Sequence, residues 1–268
     1  MNNKFKKTVA GALAATMMMT TCVPAFAYTP VDKLDMQSQY KQVVNNNTDA
    51  LVVLNNIEAA VEKEGYTVIE GLEIGKAKFQ AIYNQTEDLN EKVKIQEIIT
   101  GYENMITEYK MFEANRETVN LLGVEHPVLS PAVSAIVSFF SVNNYMLSAE
   151  LLTHAKENTK ESSTYRPTLI NHVYQTTEYV RIRNGKDGSS LAAAFEGGSS
   201  VAEKDCYYAI HGCRYYKSGN NITIHDVYDF APGSGDLNYD NLAGTAVNAM
   251  FMAQTAGVIV PYNVVISM

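Results

Sequence analysis

Apolar residues recur at helical spacing through the first half of the chain. The first such pattern begins after the N-cap pair Thr48–Asp49, ends at Gly65, and carries Leu51, Leu54, Ile57 and Val61. A longer pattern runs from Thr86 to about Leu122; its apolar stripe is Val93, Ile95, Ile98, Ile99, Tyr102, Ile106, Tyr109 and Phe112. The segment 66–74 fits either a short strand or a helix start. These patterns predict long antiparallel helices over residues 48–158.

The most apolar part of the mature chain is 132–152, which follows Ser130–Pro131. A helix that is apolar nearly all round is usually buried at the centre of a protein, and this is the interpretation the pattern favours. The alternative is a membrane-inserting helix, in which Ser134 and Ser138 allow a partner helix to approach closely. Asn143, Asn144 and Glu150 interrupt the run, so a stable membrane span is not expected.

Strand patterns appear only after the polar segment 156–164, which predicts a domain boundary. Residues 165–268 contain a Tyr- and Ile-rich hairpin, then a helical stripe, then an apolar run at 258–266. The predicted fold is therefore α+β: a helical domain at 48–158, and an α+β domain at 165–268 with a β-hairpin, a helix and a C-terminal strand.

The hairpin carries the side chains best suited to chemistry. If Tyr216 pairs with Ile222 across the turn at 217–220, Cys213 lies opposite His225, and one face presents His211, Cys213, His225 and Asp229. Three interpretations stay open for this face. In the first, the face is a polar surface in contact with water. In the second, His211, Cys213 and His225 bind zinc. In the third, the face is a hydrolytic site in which a histidine is the general base and an aspartate orients it. The first implies no cofactor.

The four residues Asp226–Asp229, with the sequence D-V-Y-D, resemble the D-x-Y-D element of the colicin M family. Members of that family are bacteriocins that cleave lipid-linked peptidoglycan precursors. A His-Arg pair follows the element there, whereas residues 230–233 here are Phe-Ala-Pro-Gly. The hairpin face and this resemblance together give the candidate catalytic residues: His211, His225, Asp226, Tyr228 and Asp229.

Two cysteines, Cys206 and Cys213, remain after the first 27 residues. A disulfide tolerates at most about 7 Å between Cα atoms. Seven residues of a straight strand span roughly 23 Å, so a bond requires the chain to turn between them, most plausibly at His211–Gly212. An uninterrupted strand would leave both thiols free.

The N-terminus predicts export. Lys4, Lys6 and Lys7 precede an apolar core, and Ala25-Phe26-Ala27 is typical of a signal-peptidase site. Cleavage after Ala27 removes three lysines and no acid, so the formal charge falls from −8 to −11. An acidic protein repels phosphate backbones, which argues against nucleic acid as a partner. Residues 28–47 are polar and Asn-rich and predict a flexible lead-in.

Together these features predict a secreted bacterial protein that binds a protein or another component of the cell envelope. The alternative function is a secreted hydrolase or toxin with a His/Asp site on the C-terminal hairpin.

Overall fold

The computed structural model of the chain describes residues 50–122, 126–230 and 242–268. The predicted signal peptide (1–27) and lead-in (28–47) lie outside these residues. The described helices are α1 Ala50–Lys63, α2 Val68–Gln85, α3 Leu89–Leu122, α4 His126–Val142, α5 Met146–Glu157, α6 Thr177–Asn184, α7 Val201–Ile210 and α8 Leu242–Thr255, with a 3₁₀ turn at Val173–Gln175. The strands are β1 Thr164–Tyr165, β2 Gly188–Ala194, β3 Gly212–Ser218, β4 Asn221–Tyr228 and β5 Tyr262–Ser267. Helices come first and the sheet follows, which confirms the α+β class.

A capping box decides the ambiguous segment 66–74 in favour of helix α2. The Glu70 amide donates to Thr67 Oγ1 (3.2 Å), and the Thr67 amide donates to Glu70 Oε2 (2.8 Å). These reciprocal bonds satisfy amide groups that a helix start otherwise leaves without partners. Helix α2 therefore begins at Val68, directly after its N-cap residue Thr67.

Helix α2 packs very closely on α4. A Cβ atom added at Gly71 would lie 2.0 Å from Ser138 Oγ, and one at Gly75 would lie 2.4 Å from Ser141 Oγ. Small residues on both helices let the two backbones approach each other. Ser138 therefore allows a close helix contact, but its partner is a helix of the same chain.

The apolar stretch 132–152 is buried, as its pattern indicated, but it forms two helices. The helical conformation is interrupted between α4 and α5, where Asn144 takes a left-handed backbone conformation (φ 62°). Pro131 lies inside α4 rather than at its start. No helix in the described ranges is long and apolar enough to cross a membrane.

The strands form one mixed sheet in the order β1-β5-β4-β3-β2. Only β1 and β5 pair in parallel. Ile222, Ile224 and Tyr228 of β4 are buried on the inner face, which faces the helices, whereas His225 and Val227 are exposed on the outer face. The Tyr262 hydroxyl of β5 donates to the Leu151 carbonyl of α5 (2.7 Å). This bond helps to fix the sheet against the helical layer.

The helical region and the sheet region share one hydrophobic core. Helix α8, from the C-terminal part of the chain, packs on α1 and α4. The segment 156–164, predicted as a domain boundary, connects α5 to β1.

One element differs in kind from the prediction. Residues 205–210 belong to helix α7, not to the first strand of the hairpin. Ser200 caps this helix by accepting a hydrogen bond from the Glu203 amide (3.2 Å). The cap outweighs the strand preference of the Tyr-rich run, and β3 begins only at Gly212.

Candidate functional site

The hairpin register separates the predicted site residues. His225 pairs with Arg214, one residue away from the expected partner Cys213. Because side chains alternate between the faces of a strand, this shift places Cys213 on the buried inner face and leaves His225 on the exposed outer face. The predicted face of His211, Cys213, His225 and Asp229 is therefore wrong.

The two histidines lie apart. His225 contacts the Tyr216 ring on the outer face, with 4.9 Å between ring centroids. His211 follows the last residue of α7, and its Nδ1 lies 2.9 Å from the Phe195 carbonyl oxygen. The zinc ligand set His211, Cys213 and His225 is therefore not assembled. Within the described ranges, no three His, Cys, Asp or Glu side chains are arranged to hold a metal ion.

Both cysteines are free thiols, so the disulfide expected as one alternative is not formed. The chain does turn at His211–Gly212, which removes the geometric objection raised for a straight strand. Cys206 lies on α7 and Cys213 on β3, and both are buried. Burial raises the pKa of each thiol, so neither is an activated nucleophile.

Asp226, Tyr228 and Asp229 lie on and directly after one strand, and we call these three residues the acidic cluster. Asp226 and Tyr228 share the inner face of β4, the central strand, and Asp229 follows directly where that strand ends. Asp226 keeps part of its surface accessible, while Tyr228 and Asp229 are buried. Among the described residues, the buried Tyr228 hydroxyl has no hydrogen-bond partner.

Both carboxyl groups of the acidic cluster are shifted toward the protonated form. Burial raises the pKa of Asp226 well above its ordinary value, and the nearby charge of Asp229 raises it further. Burial also raises the pKa of Asp229, to about 6. A carboxyl group that is buried away from water, with no cation beside it, favours its neutral, protonated state. Perturbed pairs of this kind are typical of functional sites.

A histidine–aspartate pair, which the sequence did not reveal, lies near Tyr228 of the acidic cluster. His172 Nδ1 lies 2.6 Å from Oδ2 of the buried Asp205. The charge of Asp205 raises the pKa of Tyr228, so this carboxylate and the Tyr228 hydroxyl are within electrostatic range.

Asp205 has a structural task of its own. Its carboxylate accepts the amide hydrogens of Leu147 (3.0 Å) and Ser148 (2.8 Å) at the start of α5. Tyr145, which precedes that helix, offers no side-chain cap. Asp205 therefore caps α5 from another helix, and His172 is held on the same carboxylate. The sequence gives no local signal for a cap supplied from 57 residues away.

A second candidate site is an open groove of about 840 Å³ on the helical layer, which we call the α3 groove. Its lining includes Tyr83 of α2, Leu89, Val93 and Glu97 of α3, and His154 and Glu157 of α5. Val93, expected in the core stripe, is instead 59% exposed, and Leu89 is 77% exposed. His154 stacks on Tyr165, with 3.9 Å between ring centroids. Burial lowers its pKa to about 4, so it is neutral at pH 7.

Comparison with known proteins returns no family model, no curated protein and no solved structure that matches the chain. The function therefore has to be argued from the two sites.

Proposed function

We propose that the chain is exported and binds a protein of the bacterial cell envelope through the solvent-facing side of α3. The observation that carries the proposal is a row of exposed, uncharged side chains along this helix. Leu89, Val93 and Met111 are 77%, 59% and 64% exposed. Large exposed apolar side chains on one face of a helix can mark an interaction surface.

These side chains lie on one face together with Thr100 and Thr107. The five positions follow each other at intervals of four, seven, seven and four residues, which a helix of 3.6 residues per turn aligns. The Thr100 hydroxyl donates to the Gln96 carbonyl (3.0 Å), and the Thr107 hydroxyl donates to the Glu103 carbonyl (2.9 Å). Since the hydroxyl groups are occupied, the threonines can offer their methyl groups to a partner. We call the five residues the α3 stripe.

The dimensions and charges of the α3 stripe favour a protein partner. From Leu89 to Met111 it extends about 33 Å, the length of a six-turn helix. Acidic and basic side chains both flank it, among them Glu97, Glu103 and Lys110, so no single sign of charge dominates. Such a surface suits the apolar face of a partner helix better than it suits an anionic lipid. The α3 groove at the N-terminal end of the stripe adds room for a side chain of the partner.

The binding proposal can be tested with fluorescently labelled mature protein and isolated cell envelopes. Val93→Asp places a charge in the stripe and is expected to weaken envelope binding at least ~10-fold, because a buried unpaired charge is costly. Val180→Asp on α6 is the matched control, since Val180 is also about half exposed (51%). Equal binding by the two variants would contradict the proposed surface.

Export has its own test. The protein recovered outside the cells should begin at Tyr28, as determined by N-terminal sequencing. A chain that stays inside the cells with residues 1–27 attached would contradict the export part of the proposal.

A hydrolytic function is the second candidate, and the acidic cluster favours it. A carboxyl group with a raised pKa can donate a proton at neutral pH, and a second carboxyl nearby can accept one. The roles would fall to Asp226 and Asp229, not to His211 or His225, which lie elsewhere.

The hydrolytic candidate can be tested on panels of chromogenic esters, glycosides and phosphodiesters. Any activity found should be lost in Asp226→Asn and Asp229→Asn and kept in His225→Ala. Activity that is lost in His225→Ala but survives both aspartate changes would contradict this assignment.

A further inference from the structure

We propose that the α3 groove receives an arginine side chain of the envelope protein that binds the α3 stripe. The inference rests on the proposed function, because the groove lies at the N-terminal end of that stripe and shares Leu89 and Val93 with it. It adds the chemistry of the partner, which is a basic side chain with an aliphatic stem. Its test is chosen so that the arginine and the surface can fail separately.

The groove has room for a long side chain. It is an open cavity of about 840 Å³, lined by the end of α2, the first turns of α3 and the end of α5. Along α3 its lining ends at Thr100, next to the point where α3 and α5 touch. There, a Cβ atom added at Gly101 would lie 2.6 Å from Thr153 Cγ2 and 3.2 Å from Glu157 Cγ. The groove therefore runs against a close helix contact.

The acidic side chains of the lining lack a cation. Glu97 and Glu157 both line the groove, and neither forms an ion pair within the part of the chain that the structure describes. The charge of Lys156 acts on Glu157, but the Lys156 ammonium is bonded to Glu108 instead (2.5 Å). The whole chain carries a formal charge of −8. A basic partner is therefore favoured at this groove.

The remaining lining suits the stem and the flat head of an arginine. Leu89 and Val93 offer exposed apolar surface to an aliphatic stem. Lys92 also lines the groove, and its ammonium lies over the Tyr83 ring, 5.2 Å from the centroid. Lys92 is thus held on an aromatic ring rather than on either carboxylate, and the acids stay available to a cation from outside.

His154 presents a fixed and neutral ring in the groove. The ring stacks on Tyr165, with 3.9 Å between centroids, and meets the Tyr262 ring at 4.7 Å and 85°. Burial lowers the pKa of His154 to about 4, so one ring nitrogen is a hydrogen-bond acceptor at pH 7. No hydrogen bond to this ring is formed within the described ranges. A donor that enters the groove therefore finds an oriented acceptor.

Glu157 provides a second acceptor on the same helix, three residues from His154. Side chains at this spacing are neighbours on a helix surface. The Asn104 amide donates to Glu157 Oε2 (3.2 Å), which holds the carboxylate and leaves Oε1 without a side-chain donor in the described ranges. A guanidinium group carries five N–H donors in one plane, so it can donate to both acceptors, whereas a lysine ammonium is a point charge.

The test uses helical peptides with a leucine face, about 22 residues long to match the α3 stripe. One peptide has an arginine at each end, so that it can bind in either direction. In the second, both are replaced by citrulline, which has nearly the same shape and no charge. By calorimetry, we expect the mature chain to bind the arginine peptide at least ~10-fold more tightly. Equal affinities, or no binding of either peptide, would overturn the proposal.

The two acids can be removed without disturbing the core, because both are exposed. Glu97→Gln combined with Glu157→Gln should lower the affinity for the arginine peptide to that of the citrulline peptide. Glu62→Gln on α1 is the matched control, since Glu62 is an exposed glutamate that does not line the groove. This variant should bind both peptides like the wild type. Full affinity of the double variant for the arginine peptide would overturn the role of the two acids.

Envelope binding separates the arginine from the surface. Weaker binding both in Val93→Asp and in the double variant Glu97→Gln, Glu157→Gln would support the surface and its arginine together. Weaker binding in Val93→Asp alone would keep the surface and overturn the arginine. Envelope binding that neither change weakens would contradict the proposed function itself.

Discussion

Helix α5 and strand β4 each carry a carboxyl group that is at least partly buried, and the two groups differ in their hydrogen bonds. Glu150 of α5 is fully buried, and its carboxylate accepts hydrogen bonds from the Tyr165 hydroxyl, the Thr168 amide and hydroxyl, and the Leu169 amide, at 2.7–2.9 Å. Asp226 of β4 has no such set of partners. Glu150 therefore has a structural role, whereas no comparable set of hydrogen bonds ties the Asp226 carboxyl group to the rest of the fold.

This difference indicates how a functional carboxyl group can be told from a structural one. Burial raises the pKa of both groups, so the direction of the shift does not distinguish them. Their hydrogen bonds do. The four bonds to Glu150 fasten the segment 165–169 to α5. Among the described residues, the Val227 amide is the hydrogen-bond donor that acts on Asp226, and the Tyr228 hydroxyl has no partner.

Removal of each carboxylate should give the largest contrast. Glu150→Ala leaves several buried donors without an acceptor and should lower the free energy of unfolding by about 3–4 kcal/mol. Asp226→Asn replaces a carboxyl group that has few partners and favours its neutral form, so it should change the free energy of unfolding by less than about 1 kcal/mol. Urea unfolding of the two variants measures both values. If Asp226→Asn costs as much as Glu150→Ala, Asp226 is a structural residue.

The second carboxylate of the helical layer sharpens the comparison. Asp205→Asn weakens the cap of α5 and its bond to His172, and we expect a loss of about 2 kcal/mol in the free energy of unfolding. His172→Gln removes only one of the Asp205 contacts and should cost less. Thermal unfolding of the two variants checks this order. A larger loss in His172→Gln than in Asp205→Asn would mean that the histidine, rather than the helix cap, is the main structural contact.

The pH dependence of stability should also separate the two regions. The pKa of Asp229 is raised in the folded state to about 6, so its contribution to stability is complete below its unfolded value and is lost as the pH rises through about 6. The wild type should therefore lose about 2 kcal/mol relative to Asp229→Asn between pH 4 and 7.5.

The opposite trend is expected from His154 in the helical layer. Its pKa is lowered to about 4, so stability falls as the pH drops from about 6.5 through 4. His154→Gln should remove that acid-side loss without changing the trend caused by Asp229. Unfolding measured across this pH range for the three proteins provides the comparison; identical pH profiles would contradict both assignments.

The smallest effect on stability is expected on the α3 stripe. Leu89→Asp combined with Val93→Asp changes exposed positions and should alter the free energy of unfolding by less than about 0.5 kcal/mol. A circular-dichroism melt would verify that the loss of envelope binding predicted for this surface is not a loss of folding. A large fall in the melting temperature would show that these side chains stabilise the fold instead.

Long-period patterns made the helices predictable from the sequence, whereas the sheet register was not. The stripe from Ile95 to Phe112 is buried as expected, because apolar residues that recur every 3.6 positions fall on one face of a helix. The hairpin turn, in contrast, contains two residues, Gly219 and Asn220, between the paired Ser218 and Asn221. The expected pairing of Tyr216 with Ile222 implied an odd number of residues in the turn, and the shift by one residue moved Cys213 and His225 to opposite faces.

The candidate site could be predicted only in part for the same reason. Asp226, Tyr228 and Asp229 are close in sequence, so their D-x-Y-D spacing was enough to single them out. The pair His172–Asp205 and the exposure of Val93 depend on which elements pack together. Helix α7 had been interpreted as a strand, and nothing local to Val93 distinguishes it from the buried Ile95.

The most direct test of the account is a titration of the aspartate carboxyl groups by ¹³C NMR. We expect Asp226 to titrate well above its ordinary pKa, because it is buried and lies near the charge of Asp229. Asp187 should titrate below its ordinary pKa, because it accepts hydrogen bonds from Lys217 and the Gly219 amide. An ordinary pKa for Asp226 would contradict the account that this carboxyl group is buried without a compensating partner.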